Sequence, residues 1–364
     1  MAGIQGRCAE SEHTNLTREK PMRISGWKFL CAAALCAVAT LSLSSCKDKA
    51  PAAAGQVRIK IVTNGISPFW DAMGKGMDAM KDELKCDAAW QGPQPADHNA
   101  QKRLFEDAVA AGVDGIAVSP IQADAFAPVI DAAIAKGVPV ITFDSDSATS
   151  KRAMYIGTNN YEAGKKAGEE ARKLFPNGGN LVAFVGNMSA QNARDRYNGF
   201  VDAVKGAKIN MLQAPYEDDK DAVGKARRNV ADAITKYGDR LSGLVGLYSY
   251  NGPAIVDEVE RAGIRAKVKI ICFDGEPKTL KNLERGAVDV TVVQKPYEFG
   301  RLATKLLYLM KKKGEAAAIE EMKASLTDGM KLDGKILDTG VEVVTPTNAA
   351  DFLKRVKDKG LAST

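Results

Sequence analysis

One pattern is written twice along this chain, and it decides the fold class. Residues 114–146 run from Asp114-Gly-Ile-Ala-Val-Ser-Pro120 through a helical stretch to Gly137-Val-Pro-Val-Ile-Thr-Phe143-Asp144-Ser145-Asp146. Residues 242–276 run from Ser242-Gly-Leu-Val-Gly-Leu-Tyr248 through another helical stretch to Lys267-Val-Lys-Ile-Ile-Cys-Phe273-Asp274-Gly275-Glu276. Each passage reads strand, helix, strand, and each ends with Phe-Asp directly after a β-branched run. A crossover of that length between apolar strands is a βαβ unit and implies a parallel sheet. Ligands of such sheets bind outside the carboxyl ends of the strands, where both aspartates fall. Two similar lobes, each offering a carboxylate at its sheet edge, predict a cleft that closes on something polar and uncharged.

The N-terminus bears on the compartment. Arg23 and Lys28 precede an apolar run from Phe29 to Leu43, followed by Leu43-Ser44-Ser45-Cys46. A basic start, an apolar core of roughly 15 residues and small residues before the cut describe a secretory signal too short to favour a spanning helix. Leu-Ser-Ser-Cys is similar to the bacterial lipobox, whose cysteine carries lipid on its sulfur and becomes the new N-terminus. The other reading is an ordinary signal peptide with an incidental cysteine. Met22 is a second candidate start, because Met1–Pro21 shows no apolar periodicity. Residues 1–45 are thus expected to be a signal, and residues 46–56, rich in Ala, Pro and Lys, a tether. Lys47 after the cysteine leans toward outer-membrane sorting.

About 300 residues follow the tether, too many for one compact core and comfortable for two lobes. Lys and Arg exceed Asp and Glu, 51 to 45, and beyond Lys311–Lys313 there is no basic block, so nucleic-acid binding gains little support. Past Cys46 only Cys86 and Cys272 remain; both lie in apolar strand patterns and read as buried free thiols rather than a bridge.

From Val57 onward strand and helix patterns alternate regularly. Most strands are continuous apolar runs, as expected where helices cover both sheet faces. Nearly every run ends in a polar or turn residue: Asn64, Ser119, Asp144, Asn187, Asn251, Asp274 and Gln294. The last stretch, residues 325–364, reads as two short strands and a helix.

Asp144 and Asp274 are the leading site candidates. A lone Asp at a strand end often caps a helix or makes a turn, but duplicated placement favours a ligand role, and a carboxylate can accept hydrogen bonds from two adjacent hydroxyls. Phe69 and Trp70 follow the first strand in Ser67-Pro68-Phe69-Trp70. They could staple the next helix, yet two consecutive aromatics should not both face one core, so at least one is expected to face the cleft and stack on sugar C–H groups. Of the two arginines in Arg194-Asp195-Arg196, Arg196 is expected to face the ligand and Arg194 to sit at the surface or in a salt bridge.

Enzyme motifs are mostly missing from the sequence. His98 is the one histidine after the signal, and no Gly-x-Ser-x-Gly elbow is present. Gly157–Lys166 has the wrong spacing for a phosphate loop, and Gly74-Lys-Gly76 lacks the third glycine of a dinucleotide fingerprint. No metal-ligand spacing stands out. The expectation is a binding protein without catalytic residues, cofactor or metal.

With these motifs assembled, the chain resembles bacterial periplasmic sugar-binding proteins of the ribose-binding type, the solute-binding subunits of ATP-driven (ABC) importers. The resemblance runs from about Val57 to Val344. It rests on Ser67-Pro-Phe-Trp70, Pro139-Val-Ile-Thr-Phe-Asp144, Arg194-x-Arg196-x-x-Gly-Phe200, Asn251, Phe273-Asp-Gly275 and Gln294-x-Pro296. It implies an α/β fold of two doubly wound parallel-sheet lobes joined by a three-segment hinge. The N-terminal lobe would take residues 57–158 and 295–336, and the C-terminal lobe 159–294 and 337–364. It also implies that Phe69 and Trp70 stack on the sugar, while Asp144, Arg196, Asn251, Asp274 and Gln294 hydrogen-bond it.

Departures from the ribose pattern are informative. Ribose binders place Asn where Ser67 stands, Arg where Ser145 stands, and an aromatic near Asp218; these three positions join the expected ligand set. Losing an arginine and gaining an acid changes which hydroxyls can be read. Another pentose, a hexose, a polyol or a furanose-like signal is therefore open beside ribose, and Phe143-Asp-Ser-Asp146 is also similar to binders of autoinducer-2 and of deoxysugars. The expected function is capture of a monosaccharide by a monomeric lipoprotein of the periplasm or cell envelope, which delivers it to a membrane permease. The rival is an extracytoplasmic sensor feeding a chemoreceptor or kinase. A transcription regulator of the same core fold would need a DNA-binding helical segment, which the sequence does not show.

Overall fold

The computed structural model describes residues 55–218, 222–327 and 329–362; Cys46 and the expected signal and tether up to residue 54 lie outside them. The chain begins with β1 (Arg58–Val62), α1 (Pro68–Leu84), β2 (Asp87–Gln91), α2 (His98–Ala110), β3 (Gly115–Val118), α3 (Ala123–Ala135), β4 (Val140–Phe143) and β5 (Tyr155–Gly157). It continues with α4 (Asn160–Leu174), β6 (Gly179–Val185), α5 (Gln191–Val204), β7 (Ile209–Met211), β8 (Tyr216–Glu217), α6 (Ala222–Tyr237), β9 (Gly243–Gly246), α7 (Asn251–Arg261), β10 (Lys269–Phe273), α8 (Pro277–Glu284) and β11 (Val290–Val293). Then come α9 (Pro296–Lys313), α10 (Glu315–Lys323), β12 (Lys331–Asp333), β13 (Ile336–Asp338), β14 (Glu342–Val344) and α11 (Ala349–Asp358).

These elements build two α/β lobes. The first sheet has the order β12-β13-β5-β4-β3-β1-β2; the second has β14-β11-β10-β9-β6-β7, with β8 also paired to β6. Pairing is parallel except for the β12–β13 and β11–β14 pairs at one edge of each sheet. In both sheets the strand order reverses beside the first strand, between β1 and β3 and between β6 and β9, and that reversal opens a crevice at the strand carboxyl ends.

The continuous apolar strands divide residue by residue between two faces, because side chains alternate across a sheet. In β6, Val182 and Phe184 join one core cluster, whereas Leu181, Ala183 and Val185 join another. In the first lobe, Ile59 and Ile61 pack on one side and Val62, Ile116, Val118 and Val140 on the other. Burying each such side chain contributes about 1.5–3 kcal/mol, so four clusters fix both sheets firmly.

Each lobe also joins two helices backbone to backbone. A Cβ on Gly199 of α5 would stand 2.0 Å from the Tyr161 carbonyl oxygen of α4. A Cβ on Gly300 of α9 would stand 2.0 Å from the Met73 carbonyl oxygen of α1. The Gly199 contact matters for function, since it holds the turn carrying Arg196 against α4. Gly199→Val is expected to lower stability by about 3 kcal/mol, measured by urea unfolding, because backbone cannot yield as a flexible side chain can.

The structure differs from the sequence expectations at several places. The stretch after residue 325 forms three strands and a helix rather than two strands and a helix, and α10 precedes it. Leu337 and Asp338, expected in the second lobe, belong to the first sheet through β13. The third passage between sheets is therefore Thr339–Val341. It is tied to the first passage: Asn159 donates its backbone N–H to Asp338 Oδ1 at 2.9 Å, and Thr339 donates to the Gly157 carbonyl at 2.7 Å. Cys86 precedes β2 instead of lying within it, and both it and Cys272 are buried free thiols.

Candidate functional site

A cleft of about 1220 Å³ opens where the two sets of strand ends face each other. From the first lobe it is lined by Asn64–Ser67, Phe69, Trp70, the Pro93–Asn99 loop, Ile121, Gln122 and Asp144. Gly186, Asn187, Asn192, Arg196, Tyr248–Tyr250 and Asp274 line it from the second, and Gln294 sits at the passage between them.

The duplicated Phe-Asp motif produces duplicated geometry. Asp144 follows β4 with φ +57°, and Asp274 follows β10 with φ +68°. Both lie in the left-handed region, which costs a non-glycine residue energy and which Asp tolerates better than most. The same strained turn at both sheet edges aims both residues out of their strands, and such strain clusters at working sites.

The protein occupies one oxygen of each carboxylate. Asp144 Oδ2 accepts from Ser119 Oγ at 2.8 Å and Asn192 Nδ2 at 3.2 Å, while among the described residues Oδ1 has the Arg196 Nη2 at 4.0 Å and no closer donor. Asp274 Oδ1 accepts from Gln294 Nε2 at 3.0 Å and has the Gln294 backbone N–H at 3.4 Å. Arg196, 1 % exposed, acts on both carboxylates through its charge. Its Nε donates to Asn160 Oδ1 at 2.7 Å and its Nη1 to the Leu247 carbonyl at 2.9 Å. Its guanidinium carbon sits 5.0 Å from the Phe273 ring centre and 5.7 Å from that of Tyr248. Nη2 has no hydrogen-bond partner among the described residues.

Burial dominates the electrostatics. It pushes the Asp144 carboxyl above the usual range, with Arg196, Ser119 and Asn192 pulling it back. The Asp274 carboxyl is pushed by burial up to about 6, opposed by Arg196 and the Gln294 bond and reinforced by the Asp144 charge. Two carboxylates and one guanidinium leave the floor acceptor-rich and unfriendly to anions. A ligand that donates from neighbouring hydroxyls and accepts from one guanidinium N–H group matches it.

The other expected site residues divide into two groups. Ser67, Phe69, Trp70 and Gln294 line the cleft with Asp144, Arg196 and Asp274. Phe69 and Trp70 also share one core cluster, contrary to the expectation that two consecutive aromatics must separate. They do so because both lie in the first turn of α1, edge to face at 4.8 Å, with Trp70 against Phe143 and Phe69 against Phe299. Each thus offers the cleft the remainder of a mostly buried ring.

Ser145, Asp218 and Asn251 do not line the cleft. Asn251 starts α7 rather than ending a strand, donates to Asp218 Oδ2 at 2.6 Å, and accepts from the Tyr248 backbone N–H. Asp218 also accepts from Asn229 Nδ2 at 2.7 Å. This buried network braces the loop carrying Tyr248. Ser145 is fully buried, its hydroxyl without a partner among the described residues. Arg194 is half-buried and donates to the Met188 and Ser189 carbonyls, so it pins the 188–189 turn, and its charge also favours the Asp195 carboxylate.

The structure adds Asn192 and Tyr248 to the expected set. Tyr248 donates its hydroxyl to Asn192 Oδ1 at 2.8 Å, which fixes the orientation in which the Asn192 amide faces Asp144.

Comparison with known proteins agrees with this architecture. A sequence profile of the periplasmic binding protein domain matches residues 60–316. The chain belongs to that family. It is similar to the D-allose-binding periplasmic protein of Escherichia coli, at 27% identity over 280 residues, which cover 73% of this chain and 86% of the relative. It is 25% identical over 249 residues to the ribose import binding protein RbsB of the same organism, covering 66% of this chain and 79% of RbsB. Among solved structures, GanP, a glucose-galactose binding protein from Geobacillus stearothermophilus, aligns with a TM-score of 0.71 at 28% identity, over 80% of this chain and 98% of GanP. As in other members of this family, the cleft lies between two α/β lobes. Among the described residues of this periplasmic binding protein, no helix is long and apolar enough to cross a membrane.

Proposed function

We propose that this periplasmic binding protein captures a neutral monosaccharide, ribose or a related sugar, between its lobes and delivers it to the permease of an ABC importer. The observation that carries the reading is the pair of strained aspartates that share the Arg196 charge, each with one oxygen held by the protein and one left over. Two adjacent hydroxyls can satisfy a leftover oxygen, and the Phe69 and Trp70 rings supply the apolar surface that sugar C–H groups prefer. The names of the relatives support the ligand class: allose, ribose, glucose and galactose are all neutral monosaccharides. Lipid on Cys46 would hold the protein at the cell envelope.

Closure follows from the placement of the contacts. A sugar touching Asp144 on one lobe and Asp274 on the other gains both only when the lobes approach, which gives it the differential affinity needed to shift the population. No bond is made or broken.

A thermal-shift screen against pentoses, hexoses, polyols and autoinducer-2 tests the reading, since a ligand of the native state raises its melting temperature. One neutral monosaccharide is expected to give a large shift, abolished by Asp274→Ala. A flat response to every sugar, or a shift that survives Asp274→Ala, would overturn it.

A further inference from the structure

Asn192 carries a consequence that the ligand set alone does not. It is 2 % exposed, sits in the first turn of α5 in the second lobe, and donates Nδ2 to Asp144 Oδ2 in the first lobe at 3.2 Å. This is a direct bond across the cleft, made between the chain's own side chains. Tyr248, also of the second lobe, holds the other end of the same amide. A second bridge lies near by: the Ala123 backbone N–H at the start of α3 is 3.4 Å from the Ser189 carbonyl just before α5. Arg196 adds its longer-range attraction to Asp144 from the same helix.

We propose that Asn192 is a positioning residue whose bond to Asp144 ties the lobes together and adds to the closed population of the free protein, with Asp144 held in aim. The inference rests on the reading of Asp144 as part of the ligand site, but its test does not depend on which ligand that site takes. Three features support it. The bond joins lobes whose separation must change for a ligand to enter. The amide is fixed in its orientation by the Tyr248 hydroxyl, so its N–H group is committed to Asp144. The acceptor is a buried carboxylate, for which a lost donor is costly.

The tie has a consequence for affinity. Apparent affinity scales with the fraction of free protein already in the competent form, so a residue that raises that fraction tightens binding even without touching the ligand. It also fixes which Asp144 oxygen is spent: Oδ2 is filled by Ser119 and Asn192, which leaves Oδ1 for the sugar.

The test is small-angle X-ray scattering on the ligand-free protein, wild type against Asn192→Ala and Asn192→Asp, with melting curves to confirm that each variant is folded. Removing the tie is expected to shift the open-to-closed ratio about five-fold toward open, which reads as a larger radius of gyration. Asn192→Asp, which sets a further carboxylate against Asp144, is expected to open the protein more. The sugar-saturated variants should return to the wild-type radius, and Asn192→Ala should weaken binding by about the same five-fold factor. Ligand-free scattering curves identical for wild type and both variants would overturn the tie. If no sugar binds any of the proteins while the ligand-free curves still differ, the sugar reading fails and the tie stands.

Discussion

Replacing Asp274 by Asn raises the melting temperature of the ligand-free protein above pH 7 and weakens sugar binding by about 100-fold. Both effects have one cause. The carboxylate is buried where water would have stabilised it, and its pKa of about 6 records that cost. Because the folded value lies above the unfolded one, the folded protein holds the extra proton between about pH 4 and pH 6. Stability from this group is therefore fully present below pH 4 and is lost as pH rises through 6. Above that, the ionised form costs on the order of 2–3 kcal/mol, which Asn does not incur. Asn can keep the Gln294 bond through its oxygen, but it then presents an N–H group where the free carboxylate oxygen stood. The stability gap between wild type and variant should open between pH 4 and 6, measured by melting at a series of pH values. Sugar affinity of the wild type should fall in the opposite direction, as acidification below pH 6 protonates the acceptor. If the variant melts lower than wild type at pH 8 and binds sugar equally well, Asp274 is a structural residue.

Arg196→Met is expected to abolish sugar binding and to lower stability by about 3–5 kcal/mol. The guanidinium is the cation that keeps Asp144 and Asp274 ionisable, and its removal leaves two buried carboxylates facing each other without compensation. It also strips donors from Asn160 and from the Leu247 carbonyl, and vacates the contact with Phe273 and Tyr248. Acidification should restore part of the variant's stability, because protonating the two aspartates removes the repulsion. Arg194→Ala is the control. It gives up carbonyl contacts in the 188–189 turn and a charge beside Asp195 and should cost about 1 kcal/mol, with binding retained. Urea unfolding and calorimetric titration of the three proteins measure both quantities.

Much of this architecture is legible in the sequence, because it depends on features longer than a few residues. The βαβ repeats imply parallel sheets, and Phe143-Asp144 and Phe273-Asp274 mark the strand ends. What the sequence concealed was short or depended on partners. β5, β8, β12, β13 and β14 have two or three residues each, too few for any periodicity to register. α10 buries only Ala318 and Met322, so no apolar stripe announces it. Asn251 looks like a strand end because Leu244–Tyr248 is apolar throughout, yet β9 stops at Gly246 and the chain has already turned before α7 begins.

The same holds within the site. Ser119 and Gln294 were visible as polar residues ending apolar runs, but Asn192 is one polar residue among several at a helix start. Its importance comes from lying opposite Asp144, 48 positions away in sequence, and no local pattern encodes that. Asp218 and Asn251, both expected to meet ligand, are bonded to each other, as buried polar groups need partners, and no local pattern in the sequence encodes that pairing.

The most direct test of the central claim is a crystal structure of the protein with the sugar that gives the largest thermal shift. The sugar is expected between Phe69–Trp70 and the Asp144–Arg196–Asp274 floor, with neighbouring hydroxyls donating to Asp144 Oδ1 and to the free oxygen of Asp274. A sugar bound elsewhere, or in the cleft with both aspartates untouched, would contradict it.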